Sequence, residues 1–114
     1  MKTARINTEM LDNLLLALGH PEHLLGTQYL REAVVLYASG YSRMTKALYP
    51  EVAKRFDSTA SRVERAIRHS VETAMLRTTG DTLAELFGNT ISVDRGKPTN
   101  AEYIARLARV CREN

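Results

Sequence analysis

Residues 50–77 read PEVAKRFDSTASRVERAIRHSVETAMLR, and two helices joined by a tight turn account for the apolar spacing of the stretch. Pro50 has a fixed φ and no N–H, so it suits the first turn of a helix rather than its middle. Val52, Ala53 and Phe56 then fall on one side of that helix. Asp57, Ser58 and Thr59 interrupt it, because their side chains compete for backbone hydrogen bonds and favour turns and caps. Thr59 is an N-cap for the second helix. From Ala60 to Arg77 no Gly or Pro occurs, and Val63, Ala66, Ile67, Val71, Ala74 and Met75 form one stripe. A small residue at a helix crossing (Ala53), an apolar residue before the turn and another about ten positions beyond the small one (Val63) is the order a helix-turn-helix requires. Asp57 stands where such turns often carry glycine, and Asp tolerates the left-handed backbone better than most residues.

Outward from this stretch the chain continues to read as helix. Met10, Leu11, Leu14, Leu15 and Leu18 form a first helical face, stopped by Gly19 and Pro21. Leu30, Ala33, Val34 and Tyr37 mark a second helix from about Gly26 to Ala38, ended by Ser39-Gly40. A short helix is expected around Ser42 to Leu48, and another from about Asp81 to Phe87. Residues 89–98 read as an extended loop. Thr99 with Glu102 three residues on is a capping-box pattern for a last helix to about Arg112, with Ile104, Leu107, Ala108 and Cys111 inward. No segment alternates as strands require. The expected fold is all-α: one domain over residues 1–114, a compact bundle of about six helices with a helix-turn-helix at about 50–77. At 114 residues, 44% of them hydrophobic, the length suits one globular domain.

The formal net charge is +3, which alone decides nothing about partners. Its distribution is more informative. Residues 43–77 hold eight Lys and Arg against four Asp and Glu, so this third of the chain carries the whole positive excess. Such clustering is the footprint of a nucleic-acid face. With Val63, Ala66 and Ile67 inward, a rotation of about 100° per residue turns Ser61, Glu64, Arg65 and Arg68 outward, with Arg62 and His69 at the edge. Arg can donate two hydrogen bonds to guanine O6 and N7, and Glu can accept from the cytosine amine. Ser or Thr at a helix N-terminus can hold phosphate oxygens. Glu64, Arg65 and Arg68 are therefore groove-reading residue types, and Lys54, Thr59, Ser61, Arg62 and His69 complete the expected DNA-facing set. The competing reading of Glu64 and Arg68 is an i,i+4 ion pair on a solvated helix.

Leu48 to His69, LYPEVAKRFDSTASRVERAIRH, together with YLREA (Tyr29 to Ala33), LFG (Leu86 to Gly88) and KPTN (Lys97 to Asn100), resembles the effector domain of the stage 0 sporulation protein A family. The resemblance runs from about Leu14 to Leu107. It implies a sequence-specific DNA-binding transcription regulator of double-stranded DNA, acting on a short box, as a dimer or as tandem copies. By position it implies base contacts from Arg65 and Glu64, with Arg68 also reaching the major groove, and phosphate contacts near Ser61, Arg62 and His69. It further implies a contact with the RNA polymerase sigma factor through the region from Thr78 to Ile91, with Thr82, Phe87 and Ile91 as candidates. The family's regulators carry an N-terminal phosphoacceptor receiver, and nothing before Met10 is expected to be one. The chain is then either an excised piece or a stand-alone relative with different regulation. A smaller departure lies at Met75, Leu76 and Thr78-Thr79, where the family tends to an aromatic and a looser turn.

Other chemistry is weakly supported. His20 and His23 lie three apart, but Pro21 interrupts the helix between them and no third ligand accompanies them, so neither a metal site nor a cofactor is expected. Cys111 on an apolar stripe behaves as a small hydrophobe. The five tyrosines are scattered over separate helices, which suits core positions better than a stacking platform. No nucleotide fingerprint or catalytic order is visible, so an enzyme is not expected. The absence of a long apolar run or signal pattern points to a cytoplasmic protein without membrane contact. The second functional reading is a receiver-free protein-interaction module that pairs with a full-length regulator or with polymerase.

Overall fold

Asn7 opens the helical part of the computed structural model, which describes residues 5–77, 85 and 98–113. Its side chain accepts a hydrogen bond from the Met10 amide at 3.0 Å and caps α1 (Thr8–Ala17). Gly19, at φ +89°, then turns the chain into α2 (Leu25–Ala38). A five-residue π-helical turn (Met44–Leu48) runs directly into α3 (Tyr49–Arg55), and α4 (Ala60–Arg77) and α5 (Asn100–Val110) complete the helices described. Two two-residue strands, β1 (Arg5–Ile6) and β2 (Arg112–Glu113), pair antiparallel and tie the two ends of the chain together. The expectation of a fold without strands is corrected by this pair, which is too short for any alternation to be read from sequence. The helix expected at about residues 81–87 and the loop after it lie outside the described residues.

The π-helical turn replaces the short α-helix expected near Ser42 to Leu48, and Pro50 supplies the reason. An α-helical turn here would need the residue-50 amide to donate to the Lys46 carbonyl, but proline has no N–H and its ring crowds that carbonyl. The Tyr49 amide instead bonds five residues back to Met44, widening the turn ahead of the proline.

Helix α2 is central to the described residues and packs against every other helix among them. Leu30, Ala33 and Val34 are fully buried there against Leu11, Val52, Val63, Ile67, Ile104 and Leu107. Gly26, at its start, lies so close to α4 that a Cβ would come within 2.8 Å of the Ala66 carbonyl oxygen. Ala66 itself is half-buried, at the edge of the core rather than inside it. Phe56 also ends half-buried, edge-on to Tyr29 with ring centroids 5.1 Å apart. Tyr29, Tyr49 and Tyr103 are core residues, and Tyr37 and Tyr41 are partly buried. Cys111 is fully buried, and that burial pushes its thiol pKa up.

The turn between α3 and α4 has the left-handed residue expected. Asp57 sits at φ +52°, and the Ser58 amide closes the turn on the Ala53 carbonyl at 2.8 Å. An L-residue in this region is strained by roughly 1 kcal/mol, less for Asp than for most, and glycine is not. Asp57→Gly is therefore expected to raise stability by about 0.5–1 kcal/mol, or a few degrees in Tm. Chemical unfolding of the two proteins side by side checks this, and a loss of stability would mean that the Asp57 side chain itself holds the turn.

Candidate nucleic-acid interface

Thr59 begins α4 as expected. Its hydroxyl oxygen accepts from the Arg62 amide at 3.2 Å, and its carbonyl receives the Val63 amide at 3.0 Å. This cap satisfies one of the unpaired amides at the helix start and leaves the amides of the first two residues, Ala60 and Ser61, directed out of the helix end. The Thr59 O–H remains a donor. The helix then turns Val63, Ile67, Val71 and Ala74 into the core.

The opposite face carries the expected side chains. Lys54, Thr59, Ser61, Arg62, Arg65, Arg68 and His69 are all exposed, and Glu64 is partly so. Arg62, Arg65 and Lys54 have no ion-pair partner among the described residues. Arg68 and Glu64 do pair with each other. With 57% and 28% of their side chains exposed, that pair is solvent-screened and worth at most about 0.5 kcal/mol, little enough to be given up for another partner. The structure thus realises the i,i+4 reading of the pair while keeping both residues on the outer face.

One arginine in the basic stretch has a different task. Arg55 binds Glu32 on α2 at 2.6 Å and Glu51 on its own helix at 3.1 Å, so it fastens the end of α3 to α2. Thr82, Phe87 and Ile91, the expected polymerase contacts, lie outside the described residues.

Sequence reasoning did not find the contacts that hold α4 from below. The Asn100 side-chain amide, at the first position of α5, donates to the Glu64 carbonyl at 3.1 Å and to the Tyr49 hydroxyl at 3.3 Å. Six residues further along α4, the Ser70 hydroxyl lies 2.7 Å from His20 Nδ1, whose Nε2 is 2.7 Å from the Tyr103 hydroxyl on α5. Burial lowers the His20 pKa from 6.5 to about 4, so the ring is neutral at pH 7. Burial likewise pushes the Tyr103 phenol well above its ordinary range, keeping it a hydroxyl. Both His20 nitrogens are thereby engaged by hydroxyl groups, and no group of three or more His, Cys, Asp or Glu suited to a metal occurs among the described residues. The capping-box position of Asn100, directly after Thr99, was the one signal in the sequence that placed it at a helix start. Its partners, 36 and 51 residues away, leave no mark in a local pattern.

No helix among the described residues is long and apolar enough to cross a membrane. The family model described as sporulation initiation factor Spo0A C terminal matches residues 11–111. That family is the DNA-binding effector domain of a sporulation regulator and not a family of enzymes. With the match running from α1 through α5 and taking in the whole basic face of α4, the chain belongs to the Spo0A C-terminal family of DNA-binding effector domains.

Proposed function

We propose that the chain is a sequence-specific transcription regulator in which α3 and α4 act as a helix-turn-helix and α4 enters the major groove. The observation that carries this reading is the outer face of α4, where Ser61, Arg62, Arg65, Arg68 and His69 are exposed together directly after a capped, tightly turned helix start. A phosphate beside that start would meet the outward amides of Ala60 and Ser61, the hydroxyls of Thr59 and Ser61, and the charges of Arg62 and Lys54. His69 is a further phosphate contact, further along the helix. Arg65 and Glu64 read base edges, and Arg68 joins them once it leaves Glu64. Binding as tandem copies or a dimer, and a sigma-factor contact through Thr82, Phe87 and Ile91, belong to the same proposal and rest on family membership.

Fluorescence anisotropy at two salt concentrations tests it, using a duplex selected from a random library by the wild-type chain and a scrambled duplex of equal length. A preference of about 10³-fold or more is expected, the low end for specific regulators. Lys54→Ala and Arg62→Ala are expected to weaken binding to both duplexes and to flatten the salt dependence by roughly one unit of slope each. An unchanged slope removes that residue from the interface. Failure to bind either duplex overturns the proposal in favour of a protein-interaction module.

A further inference from the structure

The outer face of α4 reads DNA only if its rotation about its own axis is fixed, since a rotation of about 10° displaces the tip of an arginine, roughly 9 Å from that axis, by about 1.5 Å. Apolar packing of Val63, Ile67 and Val71 sets which side faces inward, but a smooth apolar stripe resists small rotations weakly. Directional hydrogen bonds to the helix backbone resist them well. Asn100 makes such a bond at the position that matters: its amide donates to the Glu64 carbonyl, in the peptide unit that joins Glu64 to Arg65. The same amide is held from the other side by the Tyr49 hydroxyl, at the start of α3. Asn100 is itself fixed, because the Thr99–Glu102 capping box, with bonds of 3.1 and 2.8 Å, determines where α5 begins. Three helix segments therefore meet at one primary amide, directly beneath the outward pair Glu64 and Arg65. Three residues on and on the same side of α5, Tyr103 reaches the middle of α4 through His20 and Ser70.

We infer that Asn100 is a specificity-positioning residue: it touches no DNA, and it sets the angular register of α4 so that Glu64 and Arg65 meet their base pairs. The inference rests on the DNA-reading role proposed above. Loss of the amide leaves Lys54 on α3 and the Thr59 cap in place, and after a small rotation the long Arg62 side chain still reaches a phosphate, which, unlike a base edge, accepts a donor from many directions. It frees the base-reading turn to rotate. Misplacement by about 1 Å costs up to about a hundredfold where geometry is demanding, so discrimination falls while non-specific affinity does not.

The test compares wild type with Asn100→Ala in two measurements on the whole chain. In the first, Kd and salt slope are measured on the selected and the scrambled duplex. The preference is expected to fall about tenfold with scrambled-duplex affinity and slope unchanged; equal weakening on both duplexes, or an undiminished preference, overturns the inference. In the second, amide hydrogen exchange is followed without DNA. Exchange at Glu64 to Arg68 is expected to speed up at least about fivefold relative to Leu30 to Leu36 of α2. Uniform acceleration throughout the core would reduce Asn100 to a general stabiliser and overturns the inference. Should Asn100→Ala fail to fold, Tyr49→Phe keeps the packed ring and removes the hydroxyl that aims the amide. A smaller loss of preference, about threefold, is then expected, and none at all overturns the inference. Absence of any preference in the wild-type chain refutes the DNA-reading proposal instead, and the exchange measurement then decides by itself whether Asn100 orients α4.

Discussion

Lowering the pH from 7 to 4 is expected to remove on the order of 3 kcal/mol of folding stability through His20 alone. The ring is 1% exposed and lies between the Ser70 and Tyr103 hydroxyls, with no carboxylate bonded to it among the described residues. Those hydroxyls could accept hydrogen bonds from an imidazolium, so hydrogen bonding does not forbid the proton. Burial does, by withholding the water that a charge requires. In the unfolded chain His20 titrates at its ordinary 6.5, and in the folded protein at about 4. Between those values the unfolded state holds a proton that the folded state refuses. Stability is therefore complete above about pH 6.5, declines as the pH falls, and loses the whole contribution below about pH 4. A domain of this size has about 5–15 kcal/mol in total, so the effect is a large fraction. Urea unfolding from pH 7.5 to 4 measures it, with His20→Gln as the control that retains polarity without titrating. The variant should be less stable at pH 7 but show a shallower decline. An equally steep decline would mean that His20 is not the source of the acid sensitivity.

The same histidine shows where sequence reading ends. In HPEH it invites a metal hypothesis, weakened by Pro21, and nothing local indicates that its partners are 50 and 83 residues away. The legible features obey a short period or a local cap. The span of α4 follows from its apolar stripe and the absence of Gly and Pro, the start of α5 from the Thr99–Glu102 box, and the left-handed turn from Asp57. The outward set on α4 follows from the same period, because fixing the inward stripe fixes its opposite. The π-helical turn before Pro50 and the pairing of Arg5–Ile6 with Arg112–Glu113 were not legible. One is a local response to a missing N–H, and the other joins opposite ends of the chain through four residues. The basic count over 43–77 also overstated the binding face. Composition cannot distinguish Arg55, spent on Glu32 and Glu51, from Arg65, which faces outward without an ion-pair partner among the described residues.

That distinction makes Arg65 the residue whose removal should cost most in DNA recognition. Arg65→Ala is expected to weaken binding to the selected duplex by about 1–3 kcal/mol, roughly 5- to 150-fold, and to abolish preference at one base pair. Three features converge on it. It lies six residues, about one and two-thirds turns, past the Thr59 cap, in the N-terminal half of the helix, where a groove-entering helix presents its base contacts. It is exposed and breaks no internal ion pair on binding, so its five donors are available without a competing loss. Its neighbour Glu64 lends the backbone carbonyl that Asn100 holds, so the peptide carrying Arg65 is anchored while its side chain is not. Arg68 offers the instructive contrast, because it must first leave Glu64. That release costs only about 0.3–0.5 kcal/mol, yet it returns an unpaired carboxylate to the interface unless Glu64 finds a cytosine amine. Arg68→Ala should therefore cost less than Arg65→Ala, and Glu64→Gln should narrow the gap between them. Competition against duplexes substituted at each base pair in turn separates the roles. Arg65→Ala should flatten the profile at a single position, whereas uniform weakening across all positions would make Arg65 a phosphate contact and move base reading to Arg68.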